Sequence, residues 1–398
     1  MKLTFIQGGS KVKCAEDGTL YTDSNFSNSI WRRYSSYSHD LTVILRKDVG
    51  TYVTKEAQKQ FNAIDTEIFN LIVVPNIYNP ATSYFDLHKR KIIKKAIYDS
   101  VKESDKVIIR SVATYYTVYA AKCCIVLKKP YLIEITGFAK ETSWNHSLLG
   151  KFIAYHAETI QKKYVSDAPY AVYVTEYSLQ ERYPCKGKTL GCSDVELEPV
   201  DYTVLESKLN SIDMINGKII LGTAAHLDVK FKGQRFVIMA IAKLREEGIK
   251  NIEYHVIGNG TGNALKNLII ELDLDNEVKI LGSVPHKHVF PWLDSIDIYI
   301  QPSFQEGLCR SAVEAMSRAC PILMSDCGGN RELQTGDFLF KKGSIDSICS
   351  AIKKMLPIDT RRIEIRRSYE RAKDFEKSKL DAKRDTFYLK FINENIYT

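Results

Sequence analysis

Along most of this chain, short runs of apolar and β-branched residues alternate with longer stretches of helical periodicity, and that alternation leaves few architectures open. Leu3–Gln7, Leu41–Leu45, Leu71–Val74, Lys106–Arg110, Tyr131–Ile135 and Ala171–Thr175 read as strands. Between them, His88–Lys102 sets Ile92, Ile93, Ala96, Ile97 and Val101 on one face with lysines opposite, and Ser147–Lys163 has similar amphipathy. Strand–helix alternation of this kind buries its strands in a mostly parallel sheet with helices packed on it.

A second series follows Glu198–Gly217, where proline, aspartate and asparagine interrupt the apolar rhythm. Its strands are Lys218–Gly222, Glu253–Gly258, Val278–Leu281, Ile296–Ile300, Pro321–Ser325 and Asp337–Phe340; its helices are Gln234–Glu247, Asn263–Leu272, Cys309–Arg318 and Ile345–Met355. The 398 residues thus divide into two doubly wound halves, which is also what the length favours. We expect an amino-terminal domain over 1–200, a linker over 201–216 and a carboxyl-terminal domain over 217–376. The highly charged helical tail carries Phe375, Phe387, Tyr388 and Phe391, so its last part, 377–398, is expected to pack on a core and to return to the first domain.

The chain carries a net charge of +8, which points to an anionic partner without naming one. Zinc-finger spacing and an RNA-binding aromatic signature are both missing, so nucleic acid is not expected. Nine scattered cysteines, with no C-x-x-C pair, read as reduced thiols and give no metal-ligand spacing. The start, MKLTFIQGGS, lacks the apolar core of a signal peptide, and no run of 18 apolar residues occurs. A cytoplasmic protein, with any membrane contact peripheral, is expected.

Chemistry concentrates in Gln305–Leu333, QEGLCRSAVEAMSRACPILMSDCGGNREL, which follows a strand and opens a helix. Glu314 stands among Ala312, Val313, Ala315 and Met316; a carboxylate in that company needs a hydrogen-bonding partner, which a ribose diol would supply. Arg310 or Arg318, four residues away on either side, would supply one too. Gly307 lets backbone approach a ligand closely, and the following helix N-terminus suits phosphate.

The Glu306–Glu314 spacing, with EGLCRSAVEAM followed by PILMSDCGGNRE, resembles the Glu-x7-Glu signature of glycosyltransferase family 4, the group 1 glycosyltransferases. The likeness extends upstream in order, through Lys218–Gly222, Lys230, Lys232 and Gly233, then HVIGNG, ILGSVPH and IDIYIQPSFQEG. Residues 1–200 match more weakly, through Gly8-Gly9 and PYLIEITGFAKETSWNH, as in members that build polysaccharides. The resemblance implies a GT-B fold, two Rossmann-like domains facing across a cleft, and a retaining, metal-independent transfer from a UDP- or GDP-linked sugar, with no further cofactor. It places Lys232 on the donor diphosphate, with Lys230 or Arg310 standing in for an arginine that family members carry where this chain has Ala224, Ala225 and His226. It also places Glu306 on the transferred sugar, Gly307 and Leu308 on sugar and diphosphate, Glu314 on the ribose, Val284 on the base, and Gly258 and Gly260 in a glycine-rich donor loop. Gly258-Asn-Gly260-Thr-Gly262 lacks the G-x-G-x-x-G spacing of a dinucleotide site. Gly8 and Gly9, read as a loop after the first strand, would lie beneath the donor phosphates, or form an ordinary turn. Where relatives carry a histidine, EITGFAKE offers Gly137 and Phe138 as the sugar or acceptor pocket, with Glu134 or Glu141 contributing and His146 nearby.

Most of the basic surplus falls in residues 1–200, where HKRKIIKK, LKKP and QKK suit either a solvated lysine face or docking on an anionic membrane. The expected acceptor is a saccharide, free or linked to a lipid diphosphate, for capsule, O-antigen or exopolysaccharide synthesis at the inner face of the cytoplasmic membrane. Two other readings remain open at this point: a catalytically silent partner subunit, kept alive by the missing arginine, and a nicotinamide-dependent oxidoreductase.

Overall fold

The computed structural model describes residues 1–23, 26–146, 148–213 and 217–394. The chain forms two compact units: Met1–Val174 with Gln180–Gly191 and Arg384–Thr398, and Thr175–Leu179 with Cys192–Lys383.

The first unit contains β1 (Lys2–Ala15), β2 (Leu20–Thr22), β3 (Asp40–Tyr52), β4 (Asn62–Ala63), β5 (Asn70–Val74), β6 (Lys106–Arg110), β7 (Tyr131–Ile135), β8 (Tyr170–Tyr173) and β9 (Lys188–Gly191). Its parallel sheet runs β5-β3-β1-β6-β7-β8-β9, while β2 and β4 add a short antiparallel flap to the far part of β1. Strands buried on both faces read as continuous apolar runs, as at Val107–Ile109 and Tyr131–Ile133, all fully or almost fully buried.

β1 departs from expectation. It does not stop at Gln7 but continues to Ala15, and the register against β3 jumps from Ile6↔Ile44 to Lys11↔Arg46. Gly8 and Gly9 therefore sit in a bulge inside a strand, where extra residues are absorbed without ending the ladder.

A buried carboxylate ties the chain's last helix, Lys377–Asn393, into this unit. Glu134 Oε1 accepts hydrogen bonds from Tyr34 (2.6 Å) and Tyr388 (2.5 Å), and Oε2 accepts one from Arg110 Nη1 at 2.6 Å. Burial opposes the charge, but the Arg110 guanidinium and the two phenols hold the carboxyl below its ordinary value. Tyr388 and Phe391 are buried with it, so the tail does pack on a core.

The second unit is a six-stranded, fully parallel sheet of β10 (Ile219–Ala224), β11 (Ile252–Ile257), β12 (Val278–Gly282), β13 (Ile298–Gln301), β14 (Ile322–Ser325) and β15 (Leu339–Phe340), in the order β12-β11-β10-β13-β14-β15. Counted within the unit this is 3-2-1-4-5-6, the doubly wound order of dinucleotide- and nucleotide-binding folds. Helix Gln234–Glu246 buries Val237, Ile238, Ile241 and Leu244 against it at helical spacing.

The stretch read as a linker holds instead the helix Tyr202–Asp213, whose Leu205 and Ile212 are buried with Ala319, Ile365 and Tyr369. Residues 214–216 of that stretch, Ser147 at the start of one expected helix and the last four residues lie outside the described residues, as does the side chain of His146. Ile92, expected on the core face of the helix Leu87–Glu103, is 42% exposed, while Ile93, Ile97 and Val101 are buried. All nine cysteines are free thiols, and no described helix is long and apolar enough to cross a membrane.

Candidate active site

In an open parallel sheet, ligands bind outside the carboxyl ends of the strands where the strand order reverses, and in the second unit that point lies between β10 and β13. Past β10 the chain makes a 3-10 turn, Lys230–Lys232, before Gly233 opens the helix Gln234–Glu246. Past β13 it loops through Pro302–Cys309 into the helix Arg310–Ser317. The two loops are joined by Phe304 N donating to Phe231 O at 2.7 Å. Gly233 makes the approach possible: its φ is +78°, and a Cβ there would lie 2.1 Å from Pro302 O.

This closeness brings together two residues singled out in the sequence 74 positions apart. Lys232 Nζ donates to Glu306 Oε1 at 2.8 Å, with both side chains largely buried. Burial works against the ammonium, but the Glu306 carboxylate holds Lys232 above the ordinary lysine value, so it is charged at neutral pH. Gln301 Nε2 donates to the same Oε1 at 3.2 Å and to Ser303 Oγ at 2.7 Å. Tyr299 Oη donates to Gln301 Oε1, and lies 2.7 Å from Ser311 Oγ on the next helix. Glu306 is thus held by a relay running from a buried tyrosine through an amide. Tyr299, Gln301, Ser303 and Ser311 lie within IDIYIQPSFQEG and EGLCRSAVEAM, but the resemblance gives them no role; the sheet's topology recruits them. Cys309 and Cys327 also border the pair, but burial pushes both thiols up to about 12, which leaves them protonated and unreactive.

Gly307 and Leu308 lie in the loop between Glu306 and the helix, and their backbone faces a second one: Gly329 N donates to Glu306 O at 3.4 Å, and a Cβ on Gly329 would meet Gly307 O at 1.9 Å. Glu314 is half-buried on the helix Arg310–Ser317. Of the two arginines within reach in sequence, Arg318 binds Asp294 with both nitrogens (2.7 and 2.8 Å), and exposed Arg310 donates to Asp194 O at 3.4 Å. Lys230 is exposed at the start of the 3-10 turn.

Gly258 and Gly260 follow β11, the neighbour of β10. A Cβ on Gly258 would meet Ala225 O at 1.9 Å, and one on Gly260 would meet Asp228 Oδ2 at 2.6 Å. The Asp228 carboxylate accepts from Thr261 N (2.8 Å) and Gly262 N (2.9 Å), and these backbone donors lower its pKa. The glycines therefore serve close packing of one loop on another, with two loop N–H groups already engaged by an acid. A dinucleotide fingerprint would instead follow the first strand, here β10, and offer its N–H groups to a pyrophosphate. Val284, half-buried beyond β12, packs on the core under the helix Arg310–Ser317.

Gly8, Gly9, Gly137 and Phe138 belong to the first unit. A Cβ on Gly8 would fall 2.0 Å from Thr114 Oγ1, the cap of the helix Tyr115–Val126, and Gly9 O accepts from Arg46 Nη2 at 2.8 Å. Gly137 O accepts from Gln161 Nε2 at 3.0 Å, Ala139 N donates to Tyr183 Oη at 2.9 Å, and Phe138 packs beside the Tyr183 ring. Glu134, expected to contribute there, is committed to Arg110 and two tyrosines.

Glu332, at the end of the signature run, accepts from the backbone N–H groups of Glu176 (2.6 Å), Tyr177 (3.1 Å) and Ser178 (2.7 Å), which fastens Thr175–Leu179 into the second unit. A NRE tripeptide followed by an apolar residue gives no local hint of that long-range cap.

The family model for group 1 glycosyl transferases matches residues 218–357. Protein CapJ of Staphylococcus aureus is 30% identical over 359 residues, spanning 89% of this chain and 86% of CapJ. The amylovoran biosynthesis glycosyltransferase AmsK of Erwinia amylovora is 30% identical over 156 residues, 37% of each chain. Among solved structures, HepE of Anabaena in complex with UDP superposes with a TM-score of 0.64 at 16% identity, covering 97% of this chain and 99% of HepE. WaaG, a glycosyltransferase involved in lipopolysaccharide biosynthesis, does so with a TM-score of 0.61 at 12% identity, covering 99% of this chain and all of WaaG. These likenesses identify the fold of two Rossmann-like units as GT-B, and the coverage of CapJ together with the matched domain establishes that the chain belongs to the group 1 glycosyltransferases.

Proposed function

We propose that this protein is a retaining, metal-independent family 4 glycosyltransferase that moves a sugar from a UDP- or GDP-linked donor to a saccharide acceptor, carried on a lipid diphosphate, during bacterial surface polysaccharide synthesis. The observation that carries the reading is the Lys232–Glu306 pair at the strand-order reversal of the second unit. A fixed ammonium at that point would neutralise the charge that grows on a departing diphosphate, in a partly dry setting where such stabilisation is strongest. Glu306, held by Gln301 and Lys232, would accept hydrogen bonds from hydroxyls of the transferred sugar. Glu314 would take the ribose diol, the backbone of Gly307 and Leu308 the sugar and diphosphate, and Val284 the base, with Lys230 and Arg310 as supplementary cations. Gly258 and Gly260 shape the wall of the site. Gly8 and Gly9 beneath the phosphates, and Gly137 and Phe138 at the acceptor, complete the assignment.

In a front-face displacement the bond from the anomeric carbon to the diphosphate oxygen breaks as the acceptor oxygen attacks the same face, and the departing phosphate oxygen takes the acceptor's proton. No protein nucleophile is needed. Support for a nucleotide-sugar donor comes from HepE, whose solved complexes contain UDP and UDP-glucose. Support for polysaccharide synthesis comes from AmsK and WaaG. The test is calorimetric binding of UDP, GDP, ADP and NAD in the presence of a chelator, on wild type and Glu314→Ala. Saturable UDP or GDP binding that weakens in the variant supports the assignment; binding of NAD alone, or of no nucleotide, overturns it.

A further inference from the structure

The first unit holds a row of rings and cations that none of these roles uses. Ile6 pairs with Ile44 across β1 and β3, Arg46 with Val74 across β3 and β5, and Gln7 with Arg110 across β1 and β6. The loops after β5 and β6 therefore leave the sheet together at its carboxyl edge, the edge beyond which open α/β sheets bind ligands. Tyr78 and Tyr84 come from the first loop, and Tyr115 stands at the end of the second, where the helix Tyr115–Val126 begins. The Tyr78 and Tyr84 rings are within 28° of parallel with centroids 6.2 Å apart, and Tyr84 meets Tyr115 edge-on at 6.4 Å. A guanidinium flanks each end of the row: Arg46 Cζ lies 5.3 Å from the Tyr78 centroid, and Arg90 Cζ lies 5.2 Å from Tyr84 and 4.8 Å from Tyr115.

Part of this cluster is committed to holding the loops. Tyr115 N donates to Tyr78 Oη at 2.7 Å, and Tyr116 Oη donates to Pro75 O at 2.8 Å while accepting from Ile77 N at 3.1 Å, so the loop after β5 is pinned to the helix. What the pinning leaves over is specific. Tyr84 presents ring surface at 39% exposure, and its hydroxyl has no partner among the described residues. Neither arginine pairs with a carboxylate among the described residues, although Arg46 Nη2 donates to Gly9 O. The acids nearest in sequence are spent elsewhere: Asp48 on Lys11, Tyr52 and Val49 N, and Asp86 on Lys89. Beside Tyr78, Arg46 Nε and the Nδ2 of buried Asn76 are donors shut away without an acceptor, a costly arrangement in a finished core.

Two guanidiniums without acids suit an anion, and an arginine held against an aromatic face presents its planar fork to a carboxylate or a phosphate. The rings between them suit the C–H face of a sugar, which is apolar while its hydroxyls point outward from the rim. We propose that Tyr78, Tyr84, Tyr115, Arg46 and Arg90 form a binding site for an anionic sugar, a uronic acid or a sugar phosphate, whose ring stacks on Tyr84 and whose charged group meets Arg90. The inference rests on the saccharide acceptor proposed above and deepens it, because it makes a negatively charged ring the part of the acceptor that the first unit selects.

Saturation-transfer NMR on the full-length protein would compare the methyl glycosides of glucuronic and galacturonic acid and glucose 1-phosphate with the neutral methyl glycosides of glucose and galactose. Each probe would be run with and without UDP and GDP, which compete for any sugar phosphate bound in the second unit. The anionic probes should bind about tenfold more tightly than the neutral ones, with saturation strongest on the protons of one ring face. Tyr84→Ala and Arg90→Gln should each weaken that binding about tenfold, while Tyr84→Phe should keep it, all three melting as wild type does. Preference for the uronates or for the phosphate then says which anion the arginines take. Nucleotide binding should be unchanged in all three variants. If a nucleotide binds and no anionic sugar does, this inference falls and the donor reading stands; if the sugar binds and no nucleotide does, the donor reading falls alone. Equal binding of charged and neutral probes, or anionic binding untouched by Tyr84→Ala and Arg90→Gln, also overturns the proposal.

Discussion

Gly233→Ala isolates the contact on which the site depends. Gly233 has φ +78°, and a Cβ there would meet Pro302 O at 2.1 Å. Gly248, which ends the helix begun by Gly233, has φ +91° and open space around it. Alanine at Gly248 should therefore cost only the left-handed conformational penalty, about 1–2 kcal/mol. Alanine at Gly233 adds a clash that only backbone movement can relieve: Cβ–O contacts begin near 3 Å, so the Lys230–Lys232 turn and the Pro302 loop must part by about 1 Å. Such overpacking typically adds ~1–3 kcal/mol, for a total of ~2–5 kcal/mol. A displacement of that size separates Lys232 from Glu306 and should lower nucleotide affinity or transfer rate by about a hundredfold. Thermal melts and nucleotide titrations of the two variants side by side provide the assay. If Gly233→Ala melts like Gly248→Ala and keeps wild-type nucleotide affinity, the close approach of the two loops is not what builds the site.

Glu134→Gln should destabilise the first unit by about 3–5 kcal/mol at neutral pH, since it leaves Arg110 without its counter-charge. Because the folded carboxyl lies below its ordinary value, that contribution is present above the unfolded pKa of about 4.3 and fades as pH falls through the folded value, so melting curves of wild type and variant should converge in acid; a gap independent of pH would refute the charged network. Tyr388→Phe removes one hydrogen bond to that carboxylate and should cost about 1.5–3 kcal/mol, with the terminal helix Lys377–Asn393 becoming more accessible to protease than in wild type. Gln301→Leu removes the amide donor to Glu306 and should lower the rate of transfer more than donor affinity; an equal effect on both would show that the amide acts on binding alone.

Much of the fold was legible because buried parallel strands leave unbroken apolar runs and amphipathic helices leave a fixed period. Where both signals were weak, reading failed. In Tyr202–Asp213 the positions Leu205, Leu209 and Ile212 do keep helical spacing, but Pro199, Asp201 and Asn210 hide it, and the helix is fixed by packing on Ile365 and Tyr369. In β1 two glycines after Gln7 imitate a turn, whereas the strand runs on because β3 offers it a continuing partner. Lys232 and Glu306 could be named from a family pattern, but their contact follows from strand order, which no local window contains. The relay through Gln301 and Tyr299, and the cap that Glu332 places on Glu176–Ser178, join residues from separate elements and leave no periodic trace.

The central claim is that Lys232, beside Glu306 at the reversal of strand order, holds a donor's diphosphate. Calorimetry of a nucleoside diphosphate and of its parent nucleoside, run on wild type and Lys232→Ala with chelator present, tests it most directly. The account predicts that wild type binds UDP or GDP more tightly than the nucleoside, and that Lys232→Ala brings the diphosphate down to the nucleoside's affinity while leaving the nucleoside unchanged. A variant that keeps the full preference for the diphosphate, or that weakens nucleoside and diphosphate alike, would contradict it.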